Sequence, residues 1–168
     1  MQDSLSKGLR LSVVATLMAC LAFSASAEEY VVDSAESFED AFIDVEDGDT
    51  ITIKKGVYIP EEPIEIFARG ITIRGEEGAV IDAGGEGSGI IIRVPRVRVE
   101  NLTIRNYGGD LYNRDAGVKV ADGADNVVLT GLTLQGPGFG VRADRLSDLT
   151  IEDCRIEGDQ KRHVLDRG

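Results

Sequence analysis

A repeat is the feature that most constrains the fold of this chain. Asn101-Leu102-Thr103-Ile104 aligns with Gly131-Leu132-Thr133-Leu134 and with Asp153-Cys154-Arg155-Ile156, at offsets of 30 and 22 residues. A second series, Gly89-Ile90-Ile91-Ile92, Gly117-Val118-Lys119-Val120 and Gly140-Val141-Arg142-Ala143, recurs at offsets of 28 and 23. Two strand series sharing one irregular period are what stacked coils of a solenoid produce. One coil cannot bury its own apolar face, so coils must stack. A sandwich would need antiparallel hairpins, most often with tight turns, and no regular hairpin series is present.

Short β-branched runs follow the same logic. Ile51–Ile53, Ile71–Gly75, Val97–Ile104, Val127–Leu134 and Leu149–Ile156 are predicted strands separated by Gly, Asp or Asn. One helix is predicted before them. Asp33-Ser34-Ala35-Glu36 has the form of an N-cap with an acidic partner three residues on. Phe38, Ala41, Phe42 and Val45 then recur at helical spacing. The helix runs from Ala35 to Val45, and Asp47-Gly48-Asp49 ends it with turn chemistry. The expected architecture is all-β: a right-handed parallel β-helix of about five coils between Asp49 and Gly168. The Phe38/Phe42 face of the helix plugs the first coil and shields its strand edge.

The first 27 residues read as a secretory signal peptide, leaving 28–168 as the β-helix domain. Lys7 and Arg10 precede an apolar run, Leu11 to Phe23, that is short for a membrane span. Ala25-Ser26-Ala27 is the cleavage site. An alternative is a lipoprotein anchored at Cys20, since Leu17-Met18-Ala19-Cys20 has the form of a lipobox. Either route exports the chain to the bacterial envelope, with the periplasm as its destination. Cleavage leaves Cys154 as the only cysteine, so no intrachain disulfide forms. A formal net charge of −12 argues against nucleic acid as a partner. It also repels acidic polysaccharide unless a local basic patch compensates.

Phe38…Ala41-Phe42…Gly48-Asp49-Thr50-Ile51…Gly56-Val57-Tyr58 is similar to the opening of many secreted β-helix proteins, polysaccharide lyases among them. Gly70 to Val120 resembles the NosD-like family, periplasmic β-helix accessory proteins for assembling the copper site of nitrous-oxide reductase. The closing Ile156–Gly168 also resembles a stretch of that family, where further coils follow. The resemblance covers most of the exported chain but only the N-terminal portion of a family member. It implies a non-enzymatic accessory role, an envelope transporter or reductase-assembly partner, and copper as the associated metal.

Copper favours His, Met and Cys ligands, and the exported chain offers only Cys154 and His163. Cys154 occupies the repeat position of Leu102 and Leu132, where a small buried hydrophobe is expected. His163 stands beside Lys161 and Arg162, a poor setting for a cation. Tight copper binding by this chain alone is therefore not expected.

Gly108–Asp115 is a candidate binding loop carrying Asp110, Tyr112, Asn113, Arg114 and Asp115. Its oxygen donors suit Ca²⁺ or acid–base chemistry on a sugar; the competing reading is a polar loop whose Asp and Asn make local turns. Lys119 and Arg142, one coil apart, are expected to stack on an outer face, with Arg105 near them. Resemblance to the β-helix lyases implies that such cations neutralise a uronate and abstract its proton, so Lys119, Arg142 and Asp115 are the catalytic candidates. The competing reading is exposed basic residues that offset neighbouring acids. Asp82–Gly89 is glycine-rich but lacks the Gly-Lys-Ser/Thr of a phosphate loop, and reads as a corner between coils.

Three functions remain open: an accessory or binding protein, a lyase or hydrolase acting on polysaccharide, and a truncated structural remnant. The sequence leans away from an enzyme. Ile151–Ile156 is expected to be the last full rung, and its open edge to support self-association.

Overall fold

The structure, a computed structural model, describes residues 27–158. The expected signal segment with Cys20, and His163 with the final connection, lie outside the described residues. Strand β1 (Glu29–Val32) and helix α1 (Ala35–Asp44) open the fold. The first coil is β2 (Thr50–Ile53), β3 (Gly56–Tyr58) and β4 (Ile64–Ile66). The second is β5 (Thr72–Gly75), β6 (Ala79–Asp82) and β7 (Ile90–Ile92). The third is β8 (Arg98–Glu100), β9 (Thr103–Arg105) and β10 (Ala116–Val120). The fourth is β11 (Val127–Thr130), β12 (Thr133–Gly136) and β13 (Phe139–Ala143); β14 (Leu149–Glu152) and β15 (Arg155–Gly158) begin a fifth. Every pairing is parallel and joins equivalent strands of successive coils: a six-stranded sheet β1-β2-β5-β8-β11-β14, a five-stranded sheet β3-β6-β9-β12-β15 and a four-stranded sheet β4-β7-β10-β13. This is the expected parallel β-helix. The rung β1, which the sequence reading passed over, brings the turns to about six rather than five.

Stacked aliphatic columns hold the coils together. Ile51, Ile73, Val99, Leu129 and Ile151 share one register column, and the first four are fully buried. Tyr58, Ile81, Ile104, Leu134 and Ile156 form a second column on the five-stranded sheet. Ile64, Ile90, Val118 and Val141 form a third. Each fully buried Ile or Val stabilises the fold by about 1.5–3 kcal/mol. Both repeat alignments found in the sequence are register pairs: Thr103↔Thr133↔Arg155 and Ile90↔Val118↔Val141.

Three long predicted strands are each two strands. Val97–Ile104, Val127–Leu134 and Leu149–Ile156 break at Asn101 (φ 54°), Gly131 (φ 65°) and Asp153 (φ 53°). A left-handed residue reverses the local bend and carries the chain from the six- to the five-stranded sheet. Asn, Gly and Asp are the types that tolerate that region. The next residue then points inward: Leu102 and Leu132 are fully buried, and Cys154 is half-buried in the same position.

Helix α1 caps the first coil as expected, but the edge of β2 that it was expected to shield is covered by strand β1 instead. Its N-cap is Ser34 rather than Asp33, and the reciprocal partner is Ser37 rather than Glu36. Ser37 N donates to Ser34 Oγ at 3.1 Å and Ser34 N donates to Ser37 Oγ at 3.0 Å. Phe38 stacks on Tyr58 of β3, with ring centroids 5.2 Å apart, which seals the end of the core. Asp49, buried at the head of β2, ties the neighbouring segments down: Glu28 N and Glu46 N each donate to its carboxylate at 2.8 Å.

Candidate functional site

The Gly108–Asp115 loop leaves the helix after β9 and returns at β10. Asp115 is buried, and its Oδ2 accepts from Asp110 N at 3.0 Å while its own N–H donates to Asp110 O at 3.0 Å. Asp110 accepts from Tyr112 N at 2.7 Å, Asn113 N at 3.2 Å and Asn113 Nδ2 at 2.8 Å. Both carboxylates are thus engaged in closing the loop on itself, an Asx-type arrangement. Arg114 adopts φ 56° and reaches Asp144 at 3.8 Å. Leu111 and Tyr112 project outward, Tyr112 almost wholly exposed. Among the described residues no three His, Cys, Asp or Glu side chains are grouped as a metal site requires.

Lys119 and Arg142 are direct register partners on β10 and β13 of the four-stranded sheet, continuing a row that starts with Glu65 and Ile91. The expected stacking is present. Both cations already have partners: Lys119 Nζ donates to Asn113 O at 3.1 Å, and Arg142 pairs with Asp144 and lies 6.0 Å over the Phe139 ring. Arg105 is not beside them. It belongs to β9 in the five-stranded sheet, where Nε donates to Asp82 Oδ2 at 2.8 Å. Arg105 follows the Ile104 column, and along the chain the Gly108–Asp115 loop lies between it and β10, which carries Lys119.

Cys154 Sγ donates to Glu152 O at 3.2 Å and Leu129 O at 3.6 Å, the behaviour of a small packed side chain. It is the only Cys, His or Met between residues 27 and 158.

Two polar constellations were not anticipated from sequence. Asp82 is buried and accepts from Asn106 Nδ2, Arg105 Nε and Gly84 N. Burial pushes its carboxyl up, but donation from Asn106, Gly84 and Arg105 outweighs this and leaves it below the usual carboxylate range. On the other side, Arg93 grips Glu65 through bonds of 2.6 and 2.8 Å and lies 6.0 Å over Phe67; donation from Arg93 lowers the Glu65 carboxyl. The available signal was separation by one coil: Asp82 and Arg105 are 23 residues apart, Glu65 and Arg93 are 28. The glycine-rich turn is the corner it was expected to be, with Gly84, Gly85 and Gly87 at positive φ and Ala116 N donating to the buried Ser88 Oγ at 3.1 Å.

Comparison with known proteins gives relatives and a fold neighbour. The chain is 38% identical over 103 residues to a probable ABC transporter binding protein NosD of Pseudomonas aeruginosa, a match covering 61% of this chain. It is 33% identical over 114 residues, 68% of this chain, to the protein of the same name from Stutzerimonas stutzeri. The matches span 24% of each relative, so this chain corresponds to about a quarter of their length. Among solved structures, the PL6-family alginate lyase AlyGC, in a mutant form, superposes with a TM-score of 0.62 at 17% identity, over 79% of this chain and 20% of that one. That likeness concerns the β-helix fold. No protein-family model matches the chain.

Proposed function

We propose that this chain, a NosD-like β-helix matching 24% of the length of its curated relatives, is an exported accessory binding protein that works with an ABC-type transporter and has no catalytic chemistry of its own. The observation that carries the reading is its similarity to proteins named as probable ABC transporter binding proteins. The geometry is compatible with it. Asp110, Asp115, Lys119 and Arg142, the groups a catalyst would use, are each held by partners within the fold. Among the described residues no helix is long and apolar enough to cross a membrane; the reading of the first 27 residues as a secretory signal supports periplasmic placement.

The finer reading is assistance in maturing the copper site of nitrous-oxide reductase. With Cys154 and His163 as the only Cys, His or Met after residue 27, copper belongs to a partner in this reading, and this chain contributes scaffolding. A test is affinity capture of the host's ABC transporter, solubilised in detergent, on the tagged chain. Saturable retention is expected; its absence at micromolar concentrations counts against the transporter role. Tight Cu⁺ binding by calorimetry would overturn the scaffolding assignment.

The second reading is a carbohydrate-active β-helix, favoured by the in-register Lys119 and Arg142. Incubation with a panel of uronate polymers separates the two, because a lyase leaves unsaturated products. Clear turnover would displace the accessory reading.

A further inference from the structure

We infer that the groove between α1 and the β3–β4 connection is a docking site for a basic, amphipathic helical segment of a protein partner. Phe42 and Ile43 of α1 form one wall, and Pro60 and Pro63 of the connection form the other, around a cavity of about 360 Å³. Ile43 projects with 78% of its surface exposed, although it belongs to the helix that seals the core. Its solvation contrasts with that of Phe38 and Ala41 on the opposite, buried stripe of the same helix. An exposed isoleucine beside the half-buried Phe42, facing a proline-lined wall, offers apolar surface to a partner helix face.

Charge selects the occupant. Glu39, Glu61 and Glu62 rim the groove and are exposed. Among the described ion pairs none involves these three, whereas Glu65 at the far side is neutralised by Arg93. The C-terminal end of α1 adds to the field. Its last turn carries no basic residue, and Asp44, Glu46 and Asp47 fall within four residues at that end. A helix C-terminus is the negative end of the macrodipole and is stabilised by cations. Nothing in this chain's own last turn supplies one. An apolar floor with uncompensated glutamates, beside a helix C-terminus whose last turn holds no cation, is complementary to apolar residues on one face of a partner helix and Lys or Arg on the flanks. A net charge of −12 steers the same partner inward over longer range. This goes beyond the accessory reading: it specifies a surface and a partner chemistry, and it does not require a transporter.

The test is fluorescence anisotropy with a labelled synthetic helical peptide bearing leucines on one face and lysines on the other. Saturable binding to the full chain is expected, weakening as salt is raised. The double reversal Glu61→Lys with Glu62→Lys should weaken it by about tenfold, and Ile43→Asp by a similar factor. Glu77→Lys, on a remote coil, should leave it within about twofold. An equal loss in the Glu77→Lys protein would reduce the binding to net charge and overturn the assignment. So would undiminished binding in the Ile43→Asp protein. Binding that appears only when the chain starts at Glu28 would assign the groove to the chain's own N-terminal segment, and equally overturns it. Because the probe is a synthetic peptide, failure here leaves the transporter reading untouched.

Discussion

Asn106 Nδ2 lies 2.9 Å from both carboxylate oxygens of Asp82, which sits one coil earlier on the same sheet. Asn106 is itself left-handed, with φ 52°, and its carbonyl accepts from Gly85 N at 2.6 Å. One residue therefore turns the chain out of β9 and clamps the glycine-rich corner of the coil before it. Asn106→Ala removes the side-chain donor and puts a less tolerant residue at positive φ. The expected loss is about 2–4 kcal/mol, from a broken charge-assisted bond and a strained backbone. Urea denaturation measures it, and Asn106→Gly, which keeps the turn, should recover part of the loss.

The same pair sets a pH dependence. The folded Asp82 carboxyl titrates below its ordinary range, so the unfolded chain binds the proton more readily. Its contribution to stability is present above the unfolded value of about 3.9 and is lost as pH falls through the lower folded value. The stability difference between the native protein and Asp82→Asn should be constant from about pH 6 upward and shrink below about pH 4. A difference that grows on acidification would contradict the donor geometry.

Coil spacing gives a contrast between two glycines. A Cβ at Gly75 would stand 2.5 Å from the backbone oxygen of Asn101 in the next coil, and 2.6 Å from Leu102. Neither atom can retreat without parting the stack, so Gly75→Ala should cost about 2–3 kcal/mol and steepen aggregation on heating. Gly123 has open space around its Cα but φ +76°. Gly123→Ala should cost only the backbone strain, about 1–2 kcal/mol. Thermal unfolding of the two variants side by side reads the difference.

The coils were legible because each buries the same columns. A residue such as Ile104 needs Ile81 beneath it and Leu134 above, and that demand writes itself into the sequence as a repeat. The corners at Asn101, Gly131 and Asp153 were visible as residues but not as bends, since a polar residue within an alternating run also fits an outward strand position. The rung β1 was hidden because Glu29–Val32 has no aligned repeat and only Val32 is fully buried. For the candidate site, the stacking of Lys119 over Arg142 followed from the repeat alone. What the sequence could not supply was the partner of each charge. Asp110 and Asp115 close on backbone amides that any sequence possesses, so their spacing resembles a cation loop while their oxygens are engaged.

Tyr107 supplies the last test. It is fully buried, its ring against the faces that Gly117 and Gly136 leave open. Its hydroxyl has no hydrogen-bond partner among the described residues, and burial pushes the phenol up. A buried hydroxyl without a partner costs about 1–3 kcal/mol relative to water, whereas the ring's packing is retained by phenylalanine. Tyr107→Phe should therefore be neutral or raise stability by about 1 kcal/mol, while Tyr107→Ala should lower it by about 3–5 kcal/mol through the cavity left between the coils. Chemical denaturation of both variants decides the matter. A Tyr107→Phe protein that loses 1 kcal/mol or more would show that the hydroxyl is bonded inside the helix, to an enclosed water.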